Sequence, residues 1–160
     1  MEKAAKATLP YLFENYLKGP NIPYSINLIA RHYKCDPIAL SSYLVERNWI
    51  RECWICKDSE ISCRITVAGI EEINPSFLHD KLRVLIGALA SSGGCKTLLD
   101  ILQDKIEDYP IALDIVHQLQ KLNLVAISHD TGDLRIQLTP MGWKFFERKG
   151  KSMFAFMAVA

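Results

Sequence analysis

The sequence has almost no surplus charge of either sign: 19 basic residues stand against 18 acidic, giving +1 and a pI near 7.6. A chain that lives on phosphate backbones is expected to be far more basic, with a domain pI above about 9. The balance therefore argues against broad, purely electrostatic nucleic-acid binding. Long apolar runs are also lacking, and no stretch reaches the ~18 to 20 residues that span a bilayer. The opening MEKAAKATLPYLF has no basic leader followed by a long apolar core and a small-residue cleavage site, so no signal peptide is expected. Cysteines are few and odd in number, five in 160 residues. Without a secretion signal they imply thiols in a reducing compartment, and we expect a cytoplasmic protein. The four histidines, His32, His79, His117 and His129, lack metal-ligand spacing, and neither a nucleophile motif nor a pair of acid/base carboxylates stands out. The expectation is a binding protein that is not an enzyme and needs no cofactor.

Two short motifs suggest chemistry and fail on geometry. Cys53-Trp54-Ile55-Cys56, followed by Cys63, invites a zinc site. In an extended strand, residues three apart point to opposite faces, so Cys53 and Cys56 do not converge on one ion or form a redox pair. Cys56 and Cys63 are expected on one face, as buried thiols beside Trp54, with no evident fourth ligand. Gly93-Gly94-Cys95-Lys96-Thr97 has the look of a phosphate-binding loop, but that motif needs Gly directly before Lys and a strand before the loop. Here Cys95 intervenes and a helical pattern precedes.

What is present is periodicity, in a composition that is 49% hydrophobic, 23% charged and 9% aromatic, ordinary for a globular chain. Leu9, Leu12, Phe13, Tyr16 and Leu17 recur at helical spacing, and Gly19-Pro20 ends that helix. A second helix is expected from about Ser25 to Tyr33, with Ile26, Ile29 and Ala30 inward. Asp36 is a good N-cap and Pro37 suits the first helical position, so a third helix starts there. Two helices, a three-to-four-residue turn and a helix make the tri-helical core of a helix-turn-helix. A hairpin around Lys57-Asp58-Ser59-Glu60 is expected to place Trp54, Cys56, Ile61, Cys63 and Ile65 on one face.

The same order then recurs. Leu78, Leu82, Leu85, Ile86 and Leu89 mark a helix for which Ser76 is a plausible cap, and Ser91-Ser92-Gly93-Gly94 breaks it. Thr97 caps a helix carrying Leu98, Ile101, Leu102 and Ile106. Pro110 opens the next, with Ile115, Val116, Leu119 and Leu122 inward. Val125, Ile127 and His129 then alternate against Leu134, Ile136 and Leu138 across Asp130-Thr131-Gly132-Asp133. An offset of 75 maps Leu40 on Ile115, Leu44 on Leu119 and Asn48 on Asn123. Past the hairpin the offset is 73, mapping Thr66 on Thr139 and Gly69 on Gly142. The identical Pro-Ile-Ala-Leu at Pro37 and Pro110 is also offset by 73, out of register with the helix core, and is read as two similar helix starts.

The repeated unit, a leucine, three residues, Asn, a hairpin and [IL]-T-x-x-G, resembles the end of the winged helix domain of MarR-like and PadR-like transcriptional regulators. It is carried by Leu44 to Ile50 with Ile65-Thr66-Val67-Ala68-Gly69, and by Leu119 to Val125 with Leu138-Thr139-Pro140-Met141-Gly142. Both copies have Asn48 or Asn123 where those families usually have Gly; Asn also tolerates the left-handed turn needed there. The expected fold is α+β, mostly α, as two tandem winged helix-turn-helix units over residues 1–74 and 75–150, with an apolar tail over 151–160. The resemblance implies DNA binding through the third helices and wings. Candidate contacts are Arg31, Lys34, Ser42, Tyr43, Arg47, Lys57 and Arg64 in the first unit, and His117, Gln118, Lys121 and Arg135 in the second. Against this, Glu46, Asp58, Glu60, Asp114, Asp130 and Asp133 lie on the same helices and wing tips. The alternative is a protein-interaction adaptor, as in tandem winged helix subunits of endosomal sorting complexes and of kleisin-binding chromosome-segregation complexes. The uncharged tail from Met153 is expected to pack on the N-terminal Ala-rich segment or on a second subunit, the latter making a homodimer.

Overall fold

The computed structural model describes residues 1–19, 22–55, 59–103, 109–130 and 132–157, with residues 52, 130 and 149–157 described as backbone. It is a mixed α/β protein with small antiparallel sheets, dividing into two compact units, Met1–Phe77 and Leu78–Ala160. The first unit takes in Phe77, whose ring packs edge-on against Phe13, centroids 6.1 Å apart.

Strong helix formers from Glu2 onward, with a Glu2–Lys6 ion pair at 2.8 Å, build α1 (Glu2–Lys18). Its core face is Ala4, Ala5, Thr8, Leu9, Leu12 and Tyr16. Leu17, expected inward, is 66% exposed, because the buried stripe leans toward the small residues of the first turns. The expected second helix starts later than Ser25. Tyr24 and Ser25 instead form a short strand, β1 (Tyr24–Ser25), and α2 (Asn27–His32) follows. Asn27 anchors this junction: its amide donates to the Ser59 carbonyl at 3.2 Å, and its carbonyl accepts from the Ile61 N–H at 2.9 Å. In α3 (Pro37–Glu46), Asp36 caps as expected, its carboxylate accepting from the Ala39 N–H at 2.8 Å, and Leu40 and Leu44 are fully buried.

The hairpin strands are β2 (Ile50–Ile55) and β3 (Ile61–Ile65), and the sheet order is β1-β3-β2. Ile61, Cys63 and Ile65 face the core as expected. Trp54 does not join them. The ladder pairs Arg51 with Arg64 and then, after a register shift, Trp54 with Ser62, so Trp54 shares the outer face and is 42% exposed. A bulge of one residue moves every later side chain to the other face of its strand. The expected place of Cys56 lies outside the described residues. α4 (Val67–Glu71) closes the unit.

The second unit repeats the element order. α5 (Phe77–Ser91) leads to β4 (Cys95–Thr97), α6 (Leu98–Gln103) and α7 (Tyr109–Lys121). The hairpin β5 (Val125–Asp130) and β6 (Asp133–Leu138) precedes α8 (Pro140–Met157), and the sheet order is β4-β6-β5. Thr97 caps as expected, its hydroxyl accepting from the Asp100 N–H at 3.1 Å. The register Val125–Leu138, Ile127–Ile136 and His129–Leu134 matches the alternation read from the sequence. Leu122, expected inward, is 53% exposed; Leu124, past the turn, is buried in its stead. Ile106 lies outside the described residues. Backbone carries α8 through the start of the apolar tail, whose side chains also lie outside them.

Candidate functional site

The repeated Asn and Thr-x-x-Gly positions form one structure twice. Asn48 and Asn123 adopt left-handed turns, with φ of 56° and 58°. The Asn48 carbonyl accepts a hydrogen bond from the Thr66 hydroxyl at 2.5 Å, and the Asn123 carbonyl accepts from Thr139 at 2.6 Å. Each hydroxyl also caps the following helix, accepting from the N–H of Gly69 at 3.0 Å or Gly142 at 3.1 Å. A Cβ on Gly69 would collide with the Trp49 carbonyl, and one on Gly142 with the Leu124 carbonyl. The motif is thus a latch joining the end of the third helix, the hairpin and the closing helix. It leaves recognition to the surfaces that the latch holds in place.

On the first unit, Ser42 and Glu46 are exposed on α3, but so are Ile38 at 58% and Val45 at 49%, and on α2 Leu28 is 68% exposed. Tyr43 is half-buried and serves as a platform for Arg47, whose guanidinium lies 3.6 Å from the ring centroid and 5.6 Å from that of Trp49. Arg31 and Lys34 are exposed at the end of α2. Arg64 lies across the strands from Arg51 on the outer face of the hairpin, its guanidinium 5.6 Å from the Trp54 ring. Arg51 escapes a reading based on the third helix and wing tip, since only the sheet register places it beside Arg64. Lys57 lies outside the described residues. The structure therefore gathers Tyr43 with Arg47, and Arg64 with Arg51 and Trp54.

On the second unit the third helix exposes His117, Gln120 and Lys121, with Gln118 half-buried beside them. Gln120 was missed because a residue one position from a buried leucine reads equally as flank or face. Arg135 is exposed on the outer face of the sheet, and its Nε donates to the Cys95 sulfur at 3.1 Å. Asp133, counted from the sequence among the acids facing a partner, accepts from the Leu99 N–H at 3.2 Å and the Leu134 N–H at 2.7 Å. Its charge is thus partly spent on holding the start of α6 to the β5–β6 hairpin. A cleft of about 390 Å³ opens beside this contact, lined by Leu99, Tyr109, His129, Gly132, Asp133 and Leu134.

The structure also joins two thiols that the sequence kept apart. The Cys63 thiol hydrogen-bonds to the sulfur of Cys53, holding the Cys53 thiol well below the ordinary range, at about 7, and pushing its own pKa up. Among the described residues no group of three His, Cys, Asp or Glu side chains is placed to hold a metal ion. No described helix is long and apolar enough to cross a membrane. No protein-family model, curated protein or solved structure matches the chain.

Proposed function

We propose that the protein is a tandem winged helix-turn-helix, DNA-binding regulator of transcription in which the second unit reads bases. The observation that carries this reading is the exposed face of α7, where His117, Gln120 and Lys121 stand together with Gln118. A third helix enters the major groove with its solvent face. Glutamine pairs bidentately with adenine, and lysine meets phosphate or guanine. Because the chain carries only +1, phosphate contacts are few and binding is specific rather than broadly electrostatic. Binding of a random-sequence duplex library, selected at low salt and measured again at moderate salt, tests it. Lys121→Ala should weaken binding to all sequences and reduce the salt slope by about one. Gln118→Ala should relax preference at one position, worth about 1–3 kcal/mol. Absence of any selected duplex at low salt would overturn the proposal.

A protein-adaptor reading is favoured by a different observation, the exposed Ile38 and Val45 on α3. These side chains gain little from a hydrated phosphate groove and much from burial against another protein. Ile38→Asp and Val45→Asp should then leave duplex affinity unchanged. A loss of DNA binding in both variants would remove this reading and assign α3 to DNA as well.

A further inference from the structure

Cys53 and Cys63 are the two described thiols in mutual contact, and they differ in every respect that matters for reactivity. Cys53 lies in β2 at the bulge, exposed; Cys63 lies in β3, with none of its surface accessible. The bulge creates the pair. Between the pairs Arg51–Arg64 and Trp54–Ser62, two residues of β2, at positions 52 and 53, stand against the single Cys63 of β3, which brings Cys53 beside it. Paired strands lie about 4.8 Å apart, and a disulfide spans Cα atoms about 4.4–6.8 Å apart, so neighbours across this ladder are within its reach. The Cys63 thiol also reaches the Tyr24 carbonyl, a long contact of 4.0 Å.

We propose that Cys53 is an oxidation site for hydroperoxides and that Cys63 resolves it into a disulfide across the root of the first wing. In the first step the Cys53 thiolate attacks the terminal peroxide oxygen. The O–O bond breaks, the leaving hydroxide or alkoxide takes a proton from solvent, and Cys53 becomes a sulfenic acid. In the second step the Cys63 sulfur attacks the Cys53 sulfur, the S–O bond breaks, and the released hydroxide leaves as water with the Cys63 proton. Two thiols and one hydroperoxide thus give one disulfide, one water and one water or alcohol. Oxidation also removes the thiolate that held the Cys63 proton in place. What then opposes ionisation of Cys63 is burial alone.

Exposure favours Cys53 over the half-buried Cys35 and Cys95, and magnitudes favour it over an unperturbed peptide thiol. A thiol with an ordinary pKa near 8.5 is a few per cent thiolate at pH 7, while one titrating near 7 is about half, a gain of roughly tenfold or more. Lower basicity takes back several-fold of that. A net advantage of about two- to fivefold remains, and contact with a resolving thiol adds to it.

The test uses the full chain, reduced and then treated with stoichiometric hydrogen peroxide, followed by non-reducing peptide mapping. The expected product is a Cys53–Cys63 linkage, formed about two- to fivefold faster than an unperturbed peptide thiol in the same mixture is oxidised. Cys63→Ala should stop at the sulfenic acid, trapped as a dimedone adduct on Cys53, and Cys53→Ser should leave Cys63 reduced. Because Cys63 is in the core, each variant is first compared with the parent by circular dichroism. If Cys63→Ala does not fold, the wild-type linkage and the exposed Cys53→Ser variant still decide the matter. A linkage of Cys53 to Cys56, or oxidation of Cys53 no faster than that of the peptide thiol, would overturn the proposal.

Discussion

At the scale of single residues, the sign of one substitution depends on what lies around the backbone. Gly69 and Gly142 press against main-chain carbonyls, which cannot move as the end of a flexible side chain can. Gly69→Ala and Gly142→Ala should each destabilise by about 1–3 kcal/mol, read by denaturant unfolding. Gly87 lies within α5 with nothing within 4 Å of its added Cβ, so Gly87→Ala should stabilise by about 0.5–1 kcal/mol in the same assay. The latch threonines differ in burial. Thr66 is buried and Thr139 is not, so Thr66→Val should cost more than Thr139→Val, about 1–3 kcal/mol for the former. Cys53 gives the pH dependence. Its lowered pKa means that the thiolate is present above about pH 7 and lost as the pH falls through that value. Alkylation by iodoacetamide should follow that titration. In Cys63→Ala the midpoint should move up, because the hydrogen bond that favours the thiolate is gone.

At the scale of elements, the repeat separates what is shared from what is particular. Pro-Ile-Ala-Leu occurs at the start of both third helices, yet Ile38 is 58% exposed and Ile111 is 1% exposed. The buried Leu40 and Leu44 correspond to Ile115 and Leu119, the offset of 75, so the tetrapeptide holds different positions in the two helices. Identity of four residues is weaker information than helical phase, because burial follows phase. Caps and tight turns were legible in the sequence because their chemistry is local: Asp36, Thr97, Asn48 and Asn123 satisfy or permit their own neighbouring backbone. Asp36→Ala should lower stability by about 1 kcal/mol through loss of the α3 cap, measured as a shift in the denaturant midpoint. The strands Tyr24–Ser25 and Cys95–Thr97 were not legible, since strands of two or three residues carry no period and exist only by pairing with β3 and β6. The bulge in β2 was equally hidden. It put Trp54 on the outer face and Cys53 beside Cys63, reversing the expected neighbours.

At the scale of the whole molecule, the near-neutral charge constrains any partner more than any one residue does. In the first unit nine basic and nine acidic residues cancel over residues 1–74, and Arg47 is stacked on aromatic rings. The second unit presents the more polar third-helix face, so the proposed DNA contact is placed there, and the salt dependence of duplex binding should be shallow. A steep slope, implying many phosphate contacts, would contradict the distribution of charge. The sequence by itself determined the order of the long elements, the repeat, the caps and the left-handed turns, because these depend on hydrophobic period and on groups a few residues apart. Only the tertiary structure decided which side chains the first unit leaves apolar and exposed, and where the two arginines of its hairpin meet. It alone decided that an exposed and a buried cysteine come into contact. Those outcomes depend on strand register and helix phase, which many distant contacts set together and no short stretch of sequence records.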